Sequence, residues 1–174
     1  MRAPVFVDTT VFLCALQTSE PAKQPLAARW LERLWKEQRG RTSMQVLSEC
    51  YVNLTRKIVP ALEPDGAWLY VQSLLMWKPQ PSDAGILQRA HEIERRHGLD
   101  SWDSLIVAAA QAQNCILLLS EALAHNAVYG TVTVRNPFAA PASADIAEDT
   151  AAAITERSYR ARGRPRSKKE RPAR

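Results

Sequence analysis

The sequence is poor in the residues from which zinc, disulfide and nucleotide-phosphate sites are usually built. Its three histidines show no His-Glu-x-x-His spacing, and its six glycines form no Gly-rich phosphate loop. The three cysteines, Cys14, Cys50 and Cys115, have no paired spacing, and each lies among apolar residues. This predicts reduced thiols in the core rather than disulfides or zinc ligands. A Ser-His-Asp or cysteine–base arrangement is also lacking, which leaves carboxylates as the main candidates for chemistry.

Long apolar runs are absent as well. The longest, residues 105–110 and 116–119, fall far short of the roughly 20 residues that a transmembrane helix needs. The chain enters a predicted strand almost at once, so we expect no secretory signal and a cytoplasmic location. A length of 174 residues, 46% of them hydrophobic, fits one domain with a substantial core and a short extension.

Positive charge is concentrated at one end of the chain. From Glu156 onward there are nine Lys or Arg and two Glu, which gives a net charge of +7. The first 155 residues contain 14 Lys or Arg and 16 Asp or Glu, which gives a net charge of −2. We therefore predict a folded domain over residues 1–138 and an Ala/Pro-rich, then basic tail over residues 139–174 that is largely disordered. Such a tail suits an electrostatic contact with nucleic acid, and a solubilising extension without a partner is the open alternative.

Short apolar segments alternate with amphipathic helical patterns along the predicted domain. Strands are predicted near residues 5–7, 41–43, 115–119 and 131–134. Helices are predicted between them, the second of which ends at Gly40. This alternation is typical of an α/β fold and predicts a three-layer α/β/α sandwich with a central, mainly parallel sheet.

Acidic residues stand at corresponding points of these elements. Asp8 and Glu121 follow apolar strands, and Glu49 and Asp103 lie near the starts of helices. Because the carboxyl ends of parallel strands share one edge of the sheet, we expect the four side chains to converge there. Ordinary structural roles are the alternative: Asp8 as a helix N-cap, Glu49 as a solvated helix flank and Asp103 as a complement to the helix dipole.

Carboxylates gathered at one edge, without Lys or Arg between them, repel one another and resist joint ionisation. A divalent cation such as Mg²⁺ (or Mn²⁺) resolves this conflict, because it binds carboxylate and water oxygens. Such ions can activate water for in-line attack on a phosphodiester and stabilise the departing oxygen. The carboxylate cluster therefore predicts metal-dependent phosphodiester hydrolysis.

The chain also resembles PIN-domain ribonucleases of the VapC-like type, the toxins of type II toxin–antitoxin systems. Residues 7–11, 42–53 and 98–106 read VDTTV, TSMQVLSECYVN and GLDSWDSLI and resemble the family's first three motifs. Residues 118–121 and 132–138 read LLSE and VTVRNPF and resemble its last strands. The resemblance covers residues 4–138, nearly all of the predicted domain.

This resemblance implies a PIN-like fold, metal-dependent endonucleolytic cleavage of RNA, homodimerisation and a small antitoxin protein that blocks the site. It makes Asp8, Glu49 and Asp103 the catalytic residues and metal ligands. The other candidates are Glu121 as a further ligand and, in supporting roles, Thr9, Thr10, Ser120 and Asp100.

One position departs from the family pattern. Related sequences often have Ser-Glu-Asp after the Leu-rich strand, whereas this chain has Ala122 after Ser120 and Glu121, so the fourth acid is missing. Either Glu121 or Asp100 compensates, or the activity is weak.

Two other functions remain open from the sequence. The first is a catalytically weak or inactive module of the same fold that binds RNA or an antitoxin. The second is a haloacid-dehalogenase-like phosphatase, whose first motif also places an aspartate, here Asp8, after an apolar strand as the nucleophile. The phosphatase pattern has a second acid two residues later, where this chain has Thr10.

Overall fold

The computed structural model describes residues 3–139, so most of the predicted tail, residues 140–174, lies outside the described part of the chain. The strands are β1 (Val5–Val7), β2 (Gly40–Arg41), β3 (Leu117–Leu119), β4 (Val128–Tyr129) and β5 (Val132–Arg135). The α-helices are α1 (Thr9–Leu16), α2 (Gln24–Lys36), α3 (Met44–Arg56), α4 (Pro64–Leu74), α5 (Ala84–His97) and α6 (Ser101–Ala112). A 3₁₀ turn at Leu75–Trp77 follows α4.

The strands form one sheet in the order β2-β1-β3-β5-β4. All neighbouring pairs are parallel except β4 and β5, which form an antiparallel hairpin. In the parallel register Val7 pairs with Leu119, and Leu119 pairs with Arg135. The carboxyl ends of β1, β3 and β5 therefore meet at one edge, and the predicted mainly parallel α/β/α sandwich is confirmed.

The helices begin where the sequence supplies a side-chain cap. Ser43, Asp83 and Asp100 accept hydrogen bonds from first-turn backbone amides of α3, α5 and α6, which satisfies donors that a helix leaves unpaired at its start. Gly98 ends α5 in the left-handed conformation, with φ +68°, which glycine adopts without steric cost. Local sequence therefore determines these helix boundaries.

The predicted role of Gly40 is wrong. This residue was predicted to end the second helix, but α2 ends at Lys36 and Gly40 lies in β2, paired with Val5. A Cβ atom on Gly40 would collide with the indole ring of Trp77. The glycine is therefore needed for close packing of the edge strand against an aromatic ring, not for a helix end.

The core is built from the strands and the inward faces of the helices. The residues of β1 and β3 are buried on both faces, as expected for strands inside a parallel sheet. Cys14, Cys50 and Cys115 are buried, so the predicted location of these thiols in the core is confirmed. Within residues 3–139, no helix combines the length and the apolar character that crossing a membrane requires.

Candidate active site

Asp8 lies at the junction between β1 and α1, and it is only 3% exposed. Its Oδ1 atom accepts a hydrogen bond from the backbone amide of Thr9 at 2.6 Å, so it does cap α1. Its Oδ2 atom accepts from Ser120 Oγ at 2.8 Å and from Thr10 Oγ1 at 3.1 Å. The helix cap and the candidate site acid are thus the same carboxylate, held by donors from α1 and from the end of β3.

The surroundings of Asp8 raise its pKa to about 6. Burial is the largest cause, because it disfavours the charged form, and the negative charge of Glu49 adds to it. Hydrogen bonds from Ser120, Thr9 and Thr10 oppose the shift by stabilising the carboxylate. Asp8 therefore carries a charge that the protein's own donors do not fully compensate.

Glu49 lies on α3 and directs its carboxylate toward Asp8's end of the sheet. Thr9 Oγ1 donates to its Oε2 atom at 2.9 Å, and Gln45 Nε2 donates to its Oε1 atom at 2.9 Å. The side chain is part-buried rather than the solvated flank that was the alternative. Thr9 links the two acids, since its backbone amide binds Asp8 and its hydroxyl binds Glu49.

Asp103 lies in the first turn of α6, directly after the exposed Trp102. The Oδ1 atom of Asp100 accepts a hydrogen bond from the Asp103 backbone amide at 2.8 Å, so Asp100 caps the helix. Burial, followed by the charges of Asp100 and Glu49, raises the pKa of Asp103. The charge of Glu49 thus contributes to the raised pKa of both Asp8 and Asp103.

Gln45 belongs to this site and was missed in the sequence. It is only 9% exposed, and its Nε2 atom donates both to Glu49 and, at 3.4 Å, to the backbone carbonyl of Trp102. One amide therefore connects α3 to the first turn of α6. The available signal was its spacing of four residues from Glu49, which places both side chains on the same face of a helix.

The Glu121 side chain, after the end of β3, pairs with a lysine and does not join the other acids. Glu121 Oε1 lies 2.7 Å from Lys23 Nζ, while its backbone amide donates to Thr10 Oγ1 at 3.3 Å. Ala122 is exposed, and its amide donates to the hydroxyl of Ser120 at 3.1 Å. The backbone amides of Glu121 and Ala122 thus donate to the two hydroxyl groups, of Thr10 and Ser120, that in turn donate to Asp8. The carboxylate of Glu121 instead pairs with Lys23.

The donor set fits a hard divalent cation by its chemistry. Asp8, Glu49 and Asp103 offer carboxylate oxygens, and none of them forms an ion pair with a Lys or Arg of the described residues. Their mutual repulsion is the condition that a bound cation relieves. Within residues 3–139, no three His, Cys, Asp or Glu side chains are grouped closely enough to hold one metal ion as they stand.

Comparison with known proteins places this arrangement in a family. The PIN domain family model matches residues 5–122, which include all five acidic candidates. No curated protein matches the sequence.

Solved structures with a similar fold include three related examples. VapC20 of Mycobacterium tuberculosis, a toxin that cleaves the sarcin–ricin loop, has a TM-score of 0.51 and 20% identity, covering 66% of this chain and 86% of that one. FitAB bound to an IR36 DNA fragment has a TM-score of 0.54 and 16% identity, covering 80% and 99%. VapBC2 of Rickettsia felis, bound to a DNA fragment from their promoter, has a TM-score of 0.52 and 17% identity, covering 76% and 97%. At these identities the likeness concerns the fold.

Proposed function

This chain belongs to the PIN-domain family, and on that premise we propose that it is a metal-dependent endoribonuclease and the toxin of a toxin–antitoxin pair. The observation that carries the proposal is that the charge of Glu49, on α3, acts on acids at the starts of two other helices, Asp8 at α1 and Asp103 in α6. Burial is the largest cause of the raised pKa of both Asp8 and Asp103, and the charge of Glu49 adds to each. A protein tolerates such repulsion where a cation or a reacting group makes use of it.

In this proposal Asp8, Glu49 and Asp103 would hold Mg²⁺ or Mn²⁺, and the bound ion would supply Lewis-acid stabilisation of negative charge on the phosphodiester and a lower pKa for the attacking water. The chain's own part is to keep the oxygens in place. Thr9 orients Asp8 and Glu49 together, as described above, and burial lowers the local dielectric so that each charge acts more strongly.

The alternative functions have less support. The pattern of haloacid-dehalogenase-like phosphatases has a second acid two residues after the nucleophile, where this chain has Thr10, and the family match is to the PIN domain. A binding module without activity differs from the nuclease in one measurable property, namely RNA cleavage that depends on a divalent cation.

We also propose that the protein acts in the cytoplasm as a homodimer and is inhibited by an antitoxin protein. The family resemblance implies both partners, and exposed apolar side chains on and after α4 supply a suitable contact surface. These side chains are Leu69, Leu75 and Met76. The structure of the VapBC2 complex, a neighbour of similar fold, supports the antitoxin partner.

The test of the activity is cleavage of a mixed RNA set by the purified full chain, with Mg²⁺, with Mn²⁺ and with EDTA. We expect cleavage that EDTA abolishes. Asp8→Asn, Glu49→Gln and Asp103→Asn should each lower the rate by at least about a hundredfold, because changes to residues that merely support metal ligands already cost 10–100-fold.

Asp65→Asn is the matched control for Asp103→Asn. Asp65 also lies in the first turn of a helix, α4, but it is exposed and has no place in the site. Its variant should cleave RNA at the wild-type rate. Cleavage that persists in EDTA, or that is unchanged in all three site variants, would refute the proposal. RNA binding without cleavage would identify the inactive module instead.

A further inference from the structure

Trp102 is an aromatic side chain that the fold leaves in solvent beside the candidate site. It is 61% exposed and lies in the first turn of α6, immediately before Asp103. An indole ring in a protein core buries a large apolar area, whereas the ring of Trp102 buries little of its surface. Because it lies next to a candidate metal ligand, the exposed ring is placed where it can contact the substrate.

The backbone that carries this ring is tied to the acids. The carbonyl of Trp102 accepts from Gln45 Nε2, and the same nitrogen donates to Glu49 Oε1. The amide of Asp103, one residue later, is fixed by the Asp100 cap. The backbone of Trp102 is therefore fixed relative to both Glu49 and Asp103.

We propose that Trp102 is a stacking platform for a nucleobase of single-stranded RNA next to the bond that is cut. This inference rests on the proposed ribonuclease function and names its substrate class. Every base has a face that can stack on an indole, so the contact tolerates sequence while it favours bases that are not already stacked. A duplex keeps its bases paired and stacked, and it gains nothing from the platform.

The location favours RNA over a protein partner as the ligand of this ring. Trp102 adjoins Asp103, where a phosphodiester must come for hydrolysis. Two other exposed tryptophans lie elsewhere: Trp35 contacts the ring of Trp77, with 5.9 Å between ring centroids, and Trp68 lies on α4. Trp68 is 51% exposed, nearly as much as Trp102, and it supplies a matched control.

The binding experiment uses the full chain and a short 2′-O-methyl oligonucleotide, which lacks the free 2′-hydroxyl, both as a single strand and annealed to its complement. Trp102→Ala should weaken binding of the single strand by roughly tenfold or more, the range found when a stacking aromatic is removed. Trp102→Phe should restore most of that affinity. Trp68→Ala should bind like wild type, and all four proteins should bind the duplex alike.

A second measurement needs no destabilising variant. The protein is labelled with 5-fluorotryptophan, and the Trp102 resonance is assigned by its loss in Trp102→Phe. Adding the single strand should shift that resonance more than those of Trp35 and Trp68. A shift that follows protein concentration instead of added oligonucleotide would assign the ring to a protein contact and refute the proposal.

Failure of this inference is distinguishable from failure of the ribonuclease function. If wild type cleaves RNA while Trp102→Ala binds and cleaves the single strand normally, the platform is refuted and the activity stands. An equal loss of single-strand and duplex binding in Trp102→Ala also refutes it. If the Trp102 resonance responds to the single strand but no RNA is cut, stacking is supported and the ribonuclease function is refuted.

Discussion

The ammonium group of Lys23 lies 2.7 Å from a carboxylate oxygen of Glu121. Lys23 immediately precedes α2 and Glu121 is the second residue after β3, so this ion pair joins two distant parts of the chain. The glutamate therefore has a partner of its own outside the group formed by Asp8, Glu49 and Asp103. Its use as a substitute for the missing fourth acid would require that ion pair to break.

Because its carboxylate pairs with Lys23, Glu121→Gln should retain most of the RNA-cleaving activity, within about threefold of wild type. Such a change is smaller than the factor of ten that a loss of about 1.4 kcal/mol of transition-state stabilisation would cause. Both partners of the ion pair are about one-third exposed, so we expect the free energy of unfolding to fall by at most about 1 kcal/mol. Cleavage rates and urea denaturation measure the two effects.

Glu32→Gln is the control for the loss of an ion pair as such. Glu32 pairs with Lys36 at 2.6 Å on α2, where both side chains are largely exposed. Its variant should also remain active. A loss of activity in Glu121→Gln comparable to that in Asp8→Asn would show that Glu121 leaves Lys23 and joins the site.

The pKa of Asp8 predicts how stability changes with pH in the metal-free protein. The carboxyl titrates near 3.8 when unfolded and near 6 when folded, so between these values the folded state binds more protons. By linkage, the contribution of Asp8 to the free energy of unfolding decreases as the pH rises from about 4 to about 6 and levels off above that range. The measurement is urea denaturation across this range for wild type and Asp8→Asn, in the presence of EDTA.

The difference between the two proteins is dominated by the titration of Asp8, because groups that do not interact with Asp8 contribute equally to both. We expect wild type to lose stability relative to Asp8→Asn as the pH rises through this window. A difference that is constant with pH, or that changes in the opposite direction, would show that the folded pKa of Asp8 is not raised.

Gln45→Ala should impair the site without unfolding the domain. The variant loses the one amide that donates to both Glu49 and the Trp102 carbonyl, so the Glu49 carboxylate is less well oriented. We expect roughly tenfold weaker Mn²⁺ binding by calorimetry, as for other residues that orient metal ligands. Gln88→Ala, an exposed glutamine on α5, should bind Mn²⁺ like wild type. Unchanged Mn²⁺ affinity in Gln45→Ala would contradict this positioning role.

The central strand and the helix starts were predictable because their signals are local. An apolar run ending at Asp8, and cap residues such as Ser43 and Asp100, specify β1, α3 and α6 within a few neighbouring residues. The predicted placement of Asp8 at the carboxyl end of β1 follows from the same signals. The confirmed parallel sheet then brings the end of β3 beside it.

What the sequence did not reveal depends on contacts between distant residues. The two-residue strand β4 is too short to have a periodicity, and it exists through its hairpin with β5. The role of Gly40 depends on Trp77, and the orientation of Glu121 depends on Lys23. Trp77 and Lys23 are distant in sequence from the residues they contact, so no local pattern could identify these contacts, and β4 is too short for a pattern although β5 follows it directly.

The basic tail supplies a prediction that rests on its charge. We propose that residues 139–174 are not needed for folding of the domain. Truncation before Arg157 should leave the melting temperature nearly unchanged while nucleic-acid binding becomes less dependent on salt, because fewer cations then displace counterions. Melting curves and binding at several salt concentrations test both parts. Unfolding of the truncated protein would show that the tail packs on the domain.

Ala122 offers the most direct way to strengthen the site. It is exposed, and its amide donates to Ser120, whose hydroxyl in turn donates to Asp8. Alanine supplies no oxygen ligand, whereas metal affinity grows with the number and charge of carboxylates. Ala122→Asp should therefore bind Mn²⁺ more tightly and cleave RNA on the order of tenfold faster, a gain equal to about 1.4 kcal/mol of transition-state stabilisation.

The control for Ala122→Asp is Ala124→Asp, which adds the same charge at an exposed alanine two residues further along the chain. Cleavage rates of wild type and both variants across a Mn²⁺ titration separate a local ligand from a general effect of charge. Ala122→Asp alone should shift the titration to lower Mn²⁺. Because Glu121 pairs with Lys23, a gain in Ala122→Asp that persists when combined with Glu121→Gln would assign it to the new carboxylate. An equal or lower rate in Ala122→Asp would show that the site does not use an acid at this position.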